Sequence, residues 1–221
     1  MAKLKIIFED KNLLVIDKPA GLVVHEGSGQ KGETLVDLLK SYLPASVCKL
    51  ERCGLVHRLD KETSGLLLVA KTSAYFIFLK ELFRTSRITK EYLALIHGKI
   101  APRKAVIKIP IARDTVRRVR FSPARSGKMA ETAYIVVGYF KNFSYLKVTP
   151  KTGRTHQIRV HFAGLGYPIV GDKIYGRRDS VQPGRQFLHA HRIEFIDPNG
   201  KKREFVAPLP KDLEKFLNQE S

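Results

Sequence analysis

The amino-acid sequence predicts an α+β fold in which strands outnumber helices, and three observations carry that expectation. The chain opens with two short β-rich runs, KIIFED and NLLVIDK, followed by the breakers Pro19 and Gly21. Four more such runs, AVIKIPI, RRVRFS, AETAYIVVGYF and FSYLKVTP, succeed one another between residues 105 and 150. Apolar residues at helical spacing are confined to a few short stretches.

Along the chain, Thr34 is placed to cap a helix whose apolar positions are Leu35, Leu38, Leu39 and Leu43, ending near Pro44. The polar, Gly-terminated segment HRLDKETSG, His57 to Gly65, leads into LLLVAK, an unbroken apolar run that reads as a strand buried on both faces. Residues 73 to 84 put Phe76, Leu79 and Phe83 on one helical face. KEYLALIHG then returns to a period of two, aligning Tyr92, Ala94 and Ile96. In KTGRTHQIRVHFAGLG the helical positions are Ile158, His161, Phe162 and Leu165, with Thr155 as cap and Gly164 or Gly166 as stop. Two last strands, FLHAHRIEFID and KKREFVAPLP, are joined by the turn DPNG, and a short helix starts near residue 210.

A chain of 221 residues can bury a full core, and with no linker or repeat in view the expectation is one domain. No apolar run is long enough to span a membrane, and acids interrupt the N-terminal apolar stretch, so neither insertion nor a signal peptide is expected and the protein is placed in the cytoplasm. There Cys48 and Cys53 are expected to remain thiols. Forty Lys and Arg against 21 Asp and Glu leave a formal charge of +19, which calls for a polyanionic partner. Between residues 103 and 128 stand Arg103, Lys104, Lys108, Arg113, Arg117, Arg118, Arg120, Arg125 and Lys128 against Asp114 alone, a basic arm or hairpin around 112–129 suited to phosphate contact.

Several motifs invite chemistry. GSGQKG, Gly27 to Gly32, matches a dinucleotide fingerprint by letter, but the KPAG turn and the SYLPASVCKLERCG segment do not make the βαβ unit such a site needs, and a surface turn explains the glycines. His189 and His191 share a strand face without further ligands at metal spacing, which favours packing and no metal. Ser64 lacks a nucleophile elbow and reads as a loop-shaping residue. HRLDKETSG concentrates His57, Arg58 and Asp60 on a loop held by a buried strand, as sites often are. Alone, it is equally a surface ion pair of Asp60 with Arg58 or Lys61. TGRTHQIRVH gathers two arginines and two histidines at a helix start, where backbone N–H groups also favour anions.

Seven ordered segments, DKPAGLVVH, HRLDKETSG, KEYLALIHG, KMAETAY, KTGRTHQIRVH, GDKIYG and LHAH, resemble the RluA-type family of RNA pseudouridine synthases over nearly the whole chain. The related RsuA-type enzymes usually show GRLD and a GRNRQVRRM-like segment instead. The resemblance implies a single α+β domain on a long, mostly antiparallel sheet with a central basic cleft. It implies that Asp60 is the essential carboxylate, attacking either the ribose or the uracil ring, that Arg154 pairs with and orients it, and that Tyr92 stacks on the target base. Arg58 matches the arginine that fills the gap left by a flipped uridine. Ile158 and Leu188 are expected as pocket walls, with His57, Arg117, Arg118 and Arg120 on the RNA-binding side, while Lys18 and Pro19 look structural.

The partner so implied is an rRNA or tRNA stem-loop, bound by a monomer that needs neither cofactor nor metal. Many family members carry an N-terminal S4 module, whereas here the catalytic pattern begins at once, so recognition is expected to rest on this domain and its basic arm. Two rival readings are a non-catalytic RNA binder on the same scaffold and a nucleotide-dependent oxidoreductase using GSGQKG.

Overall fold

The computed structural model describes residues 4–25, 32–114, 117, 120–177 and 183–220. The chain forms two compact units, Met1–Thr89 with Ala190–Pro208, and Lys90–His189 with Leu209–Ser221. Both mix strands and helices, as the sequence predicts.

Unit one starts with β1 (Ile6–Glu9) and β2 (Leu13–Lys18), an antiparallel pair. α1 (Leu35–Tyr42) begins at a full capping box: the Thr34 hydroxyl accepts the Asp37 N–H at 3.3 Å, and the Asp37 carboxylate accepts the Thr34 N–H at 3.1 Å. It stops before Pro44, whose ring cannot continue a helix. The segment SYLPASVCKLERCG folds as α2 (Ala45–Cys48) and a 3-10 turn at Glu51–Gly54, elements the sequence did not announce. β3 (Ser64–Ala70) then pairs antiparallel with β2 and is buried at every position, as its unbroken apolar run predicts. Gly65 opens this strand at a φ of 115°, where a Cβ would lie 2.3 Å from the Ala190 carbonyl oxygen, so no other residue fits.

α3 (Ser73–Arg84) is capped by Thr72, but its buried face is Tyr75, Leu79 and Leu82, rotated from the expected Phe76, Leu79 and Phe83. That face meets Leu66, Leu68, Ile193 and Phe195 in the core of the unit. Phe83, left at the margin, stacks on His57 instead, with ring centroids 4.6 Å apart.

Unit two contains β4 (Thr89–His97) from Lys90 onward, β5 (Lys104–Lys108), β8 (Glu131–Tyr139) and β9 (Phe143–Pro150), hydrogen-bonded antiparallel in the order β4-β9-β8-β5. Between β5 and β8 the chain makes a separate two-stranded ribbon, β6 (Ile111–Arg113) with β7 (Phe121–Pro123), which is the basic arm foreseen in the sequence. β4 departs from its expected half-buried alternation: Leu93 to His97 are all buried. Ala94 and Ile96 join one apolar cluster, whereas Leu95 joins another with Phe143, Val170 and Phe187, so both faces of the strand are covered.

α4 (Gln157–Gly164) is buried continuously from Gln157 to Phe162. Its cap is His156, in the left-handed conformation with φ 55°, rather than Thr155, and no side chain caps the helix. Leu165 is 42% exposed and lies off the buried stripe, and Gly166, at φ 84°, turns the chain away. β10 (Leu188–Ile196) and β11 (Lys202–Val206) form the antiparallel pair expected around the DPNG turn. α5 (Lys211–Gln219) buries Leu213 and Phe216 against Phe143 and Phe187. Among the described residues no helix is long and apolar enough to cross a membrane.

Candidate active site

The HRLDKETSG loop of unit one is fixed at both ends by backbone chemistry. Leu55 forms a β-bridge with Val69, and two residues on, His57 Nε2 accepts the Leu68 N–H at 2.9 Å. His57 is thus bound to β3 and stacked on Phe83, and with Nε2 accepting, its neutral form carries the proton on Nδ1. Past the loop's apex, the Thr63 N–H donates to the Asp60 carbonyl at 3.1 Å, closing a tight turn before the buried Thr63 and Ser64.

The carbonyl of Lys61, next to Asp60, accepts two hydrogen bonds from the KPAG turn: the Gly21 N–H at 2.9 Å and Lys18 Nζ at 3.0 Å. Lys18 is 1% exposed, and its ammonium also donates to the carbonyls of Pro19 and Leu22 at 2.7 and 2.9 Å. A buried ammonium is tolerable only with such a ring of acceptors. The outcome is a half-buried Asp60 on a loop whose backbone has little freedom, with Leu59 buried beneath it and Arg58 exposed beside it. Arg58 Nη1 lies 3.5 Å from His25 Nε2. Burial first, then the charges of Arg58 and Arg52, hold the His25 imidazole below its usual range, so it stays neutral near this cation.

In unit two, Tyr92 is half-buried on β4 and packs against the cluster that contains Ile158 of α4 and Leu188 of β10, which are 6% and 4% exposed. The two residues expected as apolar walls are therefore buried in the cluster against which the expected stacking tyrosine packs. Arg154 is exposed before α4, yet its orientation is defined: its N–H donates to Gln157 Oε1 at 3.0 Å and its Nε to the Met129 carbonyl at 3.1 Å.

The rest of TGRTHQIRVH is not an anion-binding cluster. Arg159 is buried and makes a two-pronged bond to the buried Asp172 at 2.6 and 2.9 Å. Burial pushes the Asp172 carboxyl up, but the bonds and charge of Arg159 and the N–H groups of Tyr175 and Ile174 outweigh it, leaving the carboxyl below its ordinary value. His161 is fully buried between Thr132 Oγ1 at 2.9 Å and the Ile109 carbonyl at 3.0 Å. Gln157 bridges Thr152, Arg154, Glu131 and Thr132. Of the charged side chains in this motif, only Arg154 faces solvent.

On the basic arm, Arg113, Arg117, Arg125 and Lys128 are exposed, and the Arg120 guanidinium lies 5.3 Å over the Tyr175 ring. Arg118 falls outside the described residues, as does GSGQKG apart from Gly32. His191 Nδ1 lies 2.7 Å from the Ala207 carbonyl oxygen, and His189 is fully buried, which is packing chemistry. Cys48 and Cys53 are free thiols with sulfurs 2.7 Å apart, and burial, then the Cys48 contact, pushes the Cys53 thiol up to about 12. Among the described residues no group of three or more His, Cys, Asp or Glu could hold a metal ion.

The molecule is thus a basic α+β protein that presents a strand-fixed carboxylate loop in one unit, and a tyrosine on an apolar surface with an oriented arginine in the other. Comparison with known proteins gives this class its family. Residues 12–164 match the RNA pseudouridylate synthase family model, a span containing Asp60, Tyr92 and Arg154. The chain is 41% identical to the ribosomal large subunit pseudouridine synthase D of Nitrosomonas europaea, over 97% of its own length and 64% of that protein's. It is 38% identical to the protein of the same name from Pseudomonas aeruginosa, over 96% of this chain and 70% of that one. This chain therefore spans about two thirds of the length of these curated relatives. Human RNA pseudouridylate synthase domain containing 1 superposes with a TM-score of 0.78 at 27% identity, covering 97% of this chain and 87% of that one. The chain belongs to the RNA pseudouridylate synthase family, and its RluA-type resemblance is borne out.

Proposed function

We propose that this chain isomerises uridine to pseudouridine in structured ribosomal RNA, as a cytoplasmic monomer without cofactor or metal. The observation that carries this reading is Asp60, half-buried on a loop immobilised by Lys18, Gly21, His57 and β3, within a family match that spans residues 12–164. A carboxylate fixed in this way acts as a nucleophile without first losing loop entropy.

In the reaction the glycosidic C–N bond is broken and a C–C bond is made between the same sugar and ring, so nothing is oxidised or reduced. Asp60 attacks the ribose anomeric carbon or the uracil ring. Tyr92 stacks on the base, an interaction worth about 1–3 kcal/mol per base. Arg154 serves the reaction as its oriented cation, held in place by Gln157 and the Met129 carbonyl. Arg58, exposed on the same loop as Asp60, enters the RNA stack vacated by the flipped nucleotide and pays part of the unstacking cost.

The test is tritium release from ribosomal RNA transcripts labelled at uridine C5, since forming the new C–C bond expels that hydrogen. Release at the labelled site supports the proposal. Tight binding with no release on any transcript overturns it in favour of a non-catalytic RNA binder.

A further inference from the structure

Tyr175, in the GDKIYG segment, occupies a junction that the catalytic reading leaves unused. Its hydroxyl accepts the Phe121 N–H of β7 at 2.7 Å and lies 3.0 Å from His156 Nδ1. Two guanidinium groups lie over its ring, Arg120 of the arm at 5.3 Å and Arg159 of α4 at 5.1 Å, contacts favoured by cation–π attraction. The segment bearing Tyr175 is itself fixed, because Asp172 Oδ1 accepts the N–H groups of Ile174 and Tyr175 at 2.9 and 3.0 Å while its carboxylate holds Arg159.

His156 is two residues from Arg154, in a left-handed turn that costs a non-glycine residue energy unless its surroundings hold it. The other end of the arm reaches the same place, since the Met129 carbonyl accepts Arg154 Nε. Strand β7 and the segment that follows it are thus both tied to the short stretch Arg154–His156, β7 through Tyr175 and the segment directly. An arm required only to supply positive charge has no need of either bond.

We infer that Tyr175 is a positioning residue that locks the basic arm to the Arg154 turn, so that RNA seated on the arm and Arg154 are placed as one body. This rests on the reading of the chain as an RNA-modifying enzyme and adds to it a specific device by which the arm's grip on RNA reaches the reaction.

The experiment compares the full chain with Tyr175→Phe, which keeps the ring and its two cationic neighbours but removes the hydroxyl. The expected result is faster amide exchange at Phe121 and a loss of roughly fivefold to tenfold in single-turnover rate on a ribosomal stem-loop, the equivalent of one uncharged hydrogen bond. The discriminating step repeats this in a background with Arg125 and Lys128, both exposed, changed to Ala, which weakens the arm's grip while leaving the Phe121, Tyr175 and His156 side chains unaltered. There the rate loss from Tyr175→Phe should largely disappear. An equal loss in both backgrounds, or none in either, overturns the inference, because a generally weakened fold acts regardless of the arm's charge. If Tyr175→Phe fails to fold, His156→Asn, which tolerates the left-handed turn, serves in its place under the same criteria. Should the unaltered chain release no tritium from any transcript, the enzymatic reading fails alone, and RNA affinity in the two backgrounds, with Phe121 exchange, decides the lock by the same comparison.

Discussion

Lys18 Nζ donates to the carbonyl of Lys61, 43 positions along the chain and adjacent to Asp60. A side chain most often found in solvent here serves as an internal fastener, its charge dispersed over three carbonyl oxygens. Replacing it with Met keeps the aliphatic stem but removes this donor from the Pro19 and Leu22 carbonyls, while the Lys61 carbonyl retains the Gly21 N–H. Lys18→Met should lower unfolding free energy by about 2–4 kcal/mol, the scale of buried acceptors left unpaired. Urea denaturation measures it, and a change within error would mean that water replaces the ammonium.

For Asp60 the expected separation is between binding and chemistry. Asp60→Asn preserves the loop's size and its Thr63 N–H to Asp60 carbonyl turn, because that bond uses the backbone. Tritium release should fall by at least about a thousandfold, as for loss of a nucleophile, with RNA affinity within about threefold of the starting value. Filter binding and the release assay on the same RNA check both halves.

Arg58 should matter in proportion to how firmly the target is stacked. Arg58→Ala is expected to reduce turnover on a stem-loop by roughly tenfold to a hundredfold more than on an unstructured strand of the same sequence, since unstacking costs a few kcal/mol only in the former. Equal losses on both RNAs would remove Arg58 from base flipping and leave it as a phosphate contact.

How much of this was legible in the sequence depends on whether the deciding interaction was local. α1 was readable because Thr34, Asp37 and Pro44 carry its start and stop within a few residues, and β3 because seven buried positions leave no ambiguity of face. The loop before β3 was readable as a polar stretch against a buried strand, but not its rigidity, which comes from Lys18 in a distant turn. α4 was read too generously as an anion site because the partner of Arg159 is Asp172, 13 residues on, and the partners of His161 lie on other segments. β4 looked half-buried because alternation shows one face and says nothing of what the rest of the fold places on the other.

The Arg159–Asp172 pair gives a prediction of stability rather than of catalysis. Its oxygens are shared between the guanidinium and the N–H groups of Ile174 and Tyr175. Breaking one partner of a buried pair leaves the other charge unmet, so Asp172→Asn should cost about 3–5 kcal/mol. Because the folded carboxyl titrates below its unfolded value, the stabilisation is complete above the unfolded pKa and is lost as pH falls through the folded one. The gap in stability between the unaltered chain and Asp172→Asn should therefore be constant near neutrality and narrow only in acid below about pH 4, as read from denaturant midpoints.

Lys90 provides the opposite dependence, on the alkaline side. It lies on β4 two residues before Tyr92, so the two side chains share a strand face, and burial lowers its ammonium from 10.5 to about 8. Below pH 8 the group is protonated in both folded and unfolded chains, and the folded state bears the desolvation cost. Above pH 8 the folded amine gives up its proton while the unfolded one keeps it, so stability rises with pH until the unfolded value near 10.5 is passed. Lys90→Met removes the cost at every pH, and at neutral pH it should stabilise the chain by up to about 3 kcal/mol. That advantage should shrink steadily between pH 8 and pH 10 as the unaltered protein recovers the same energy by deprotonation. Thermal melts of both proteins at matched pH values would show the two curves converging, and parallel curves across that range would mean that Lys90 keeps its proton in the fold.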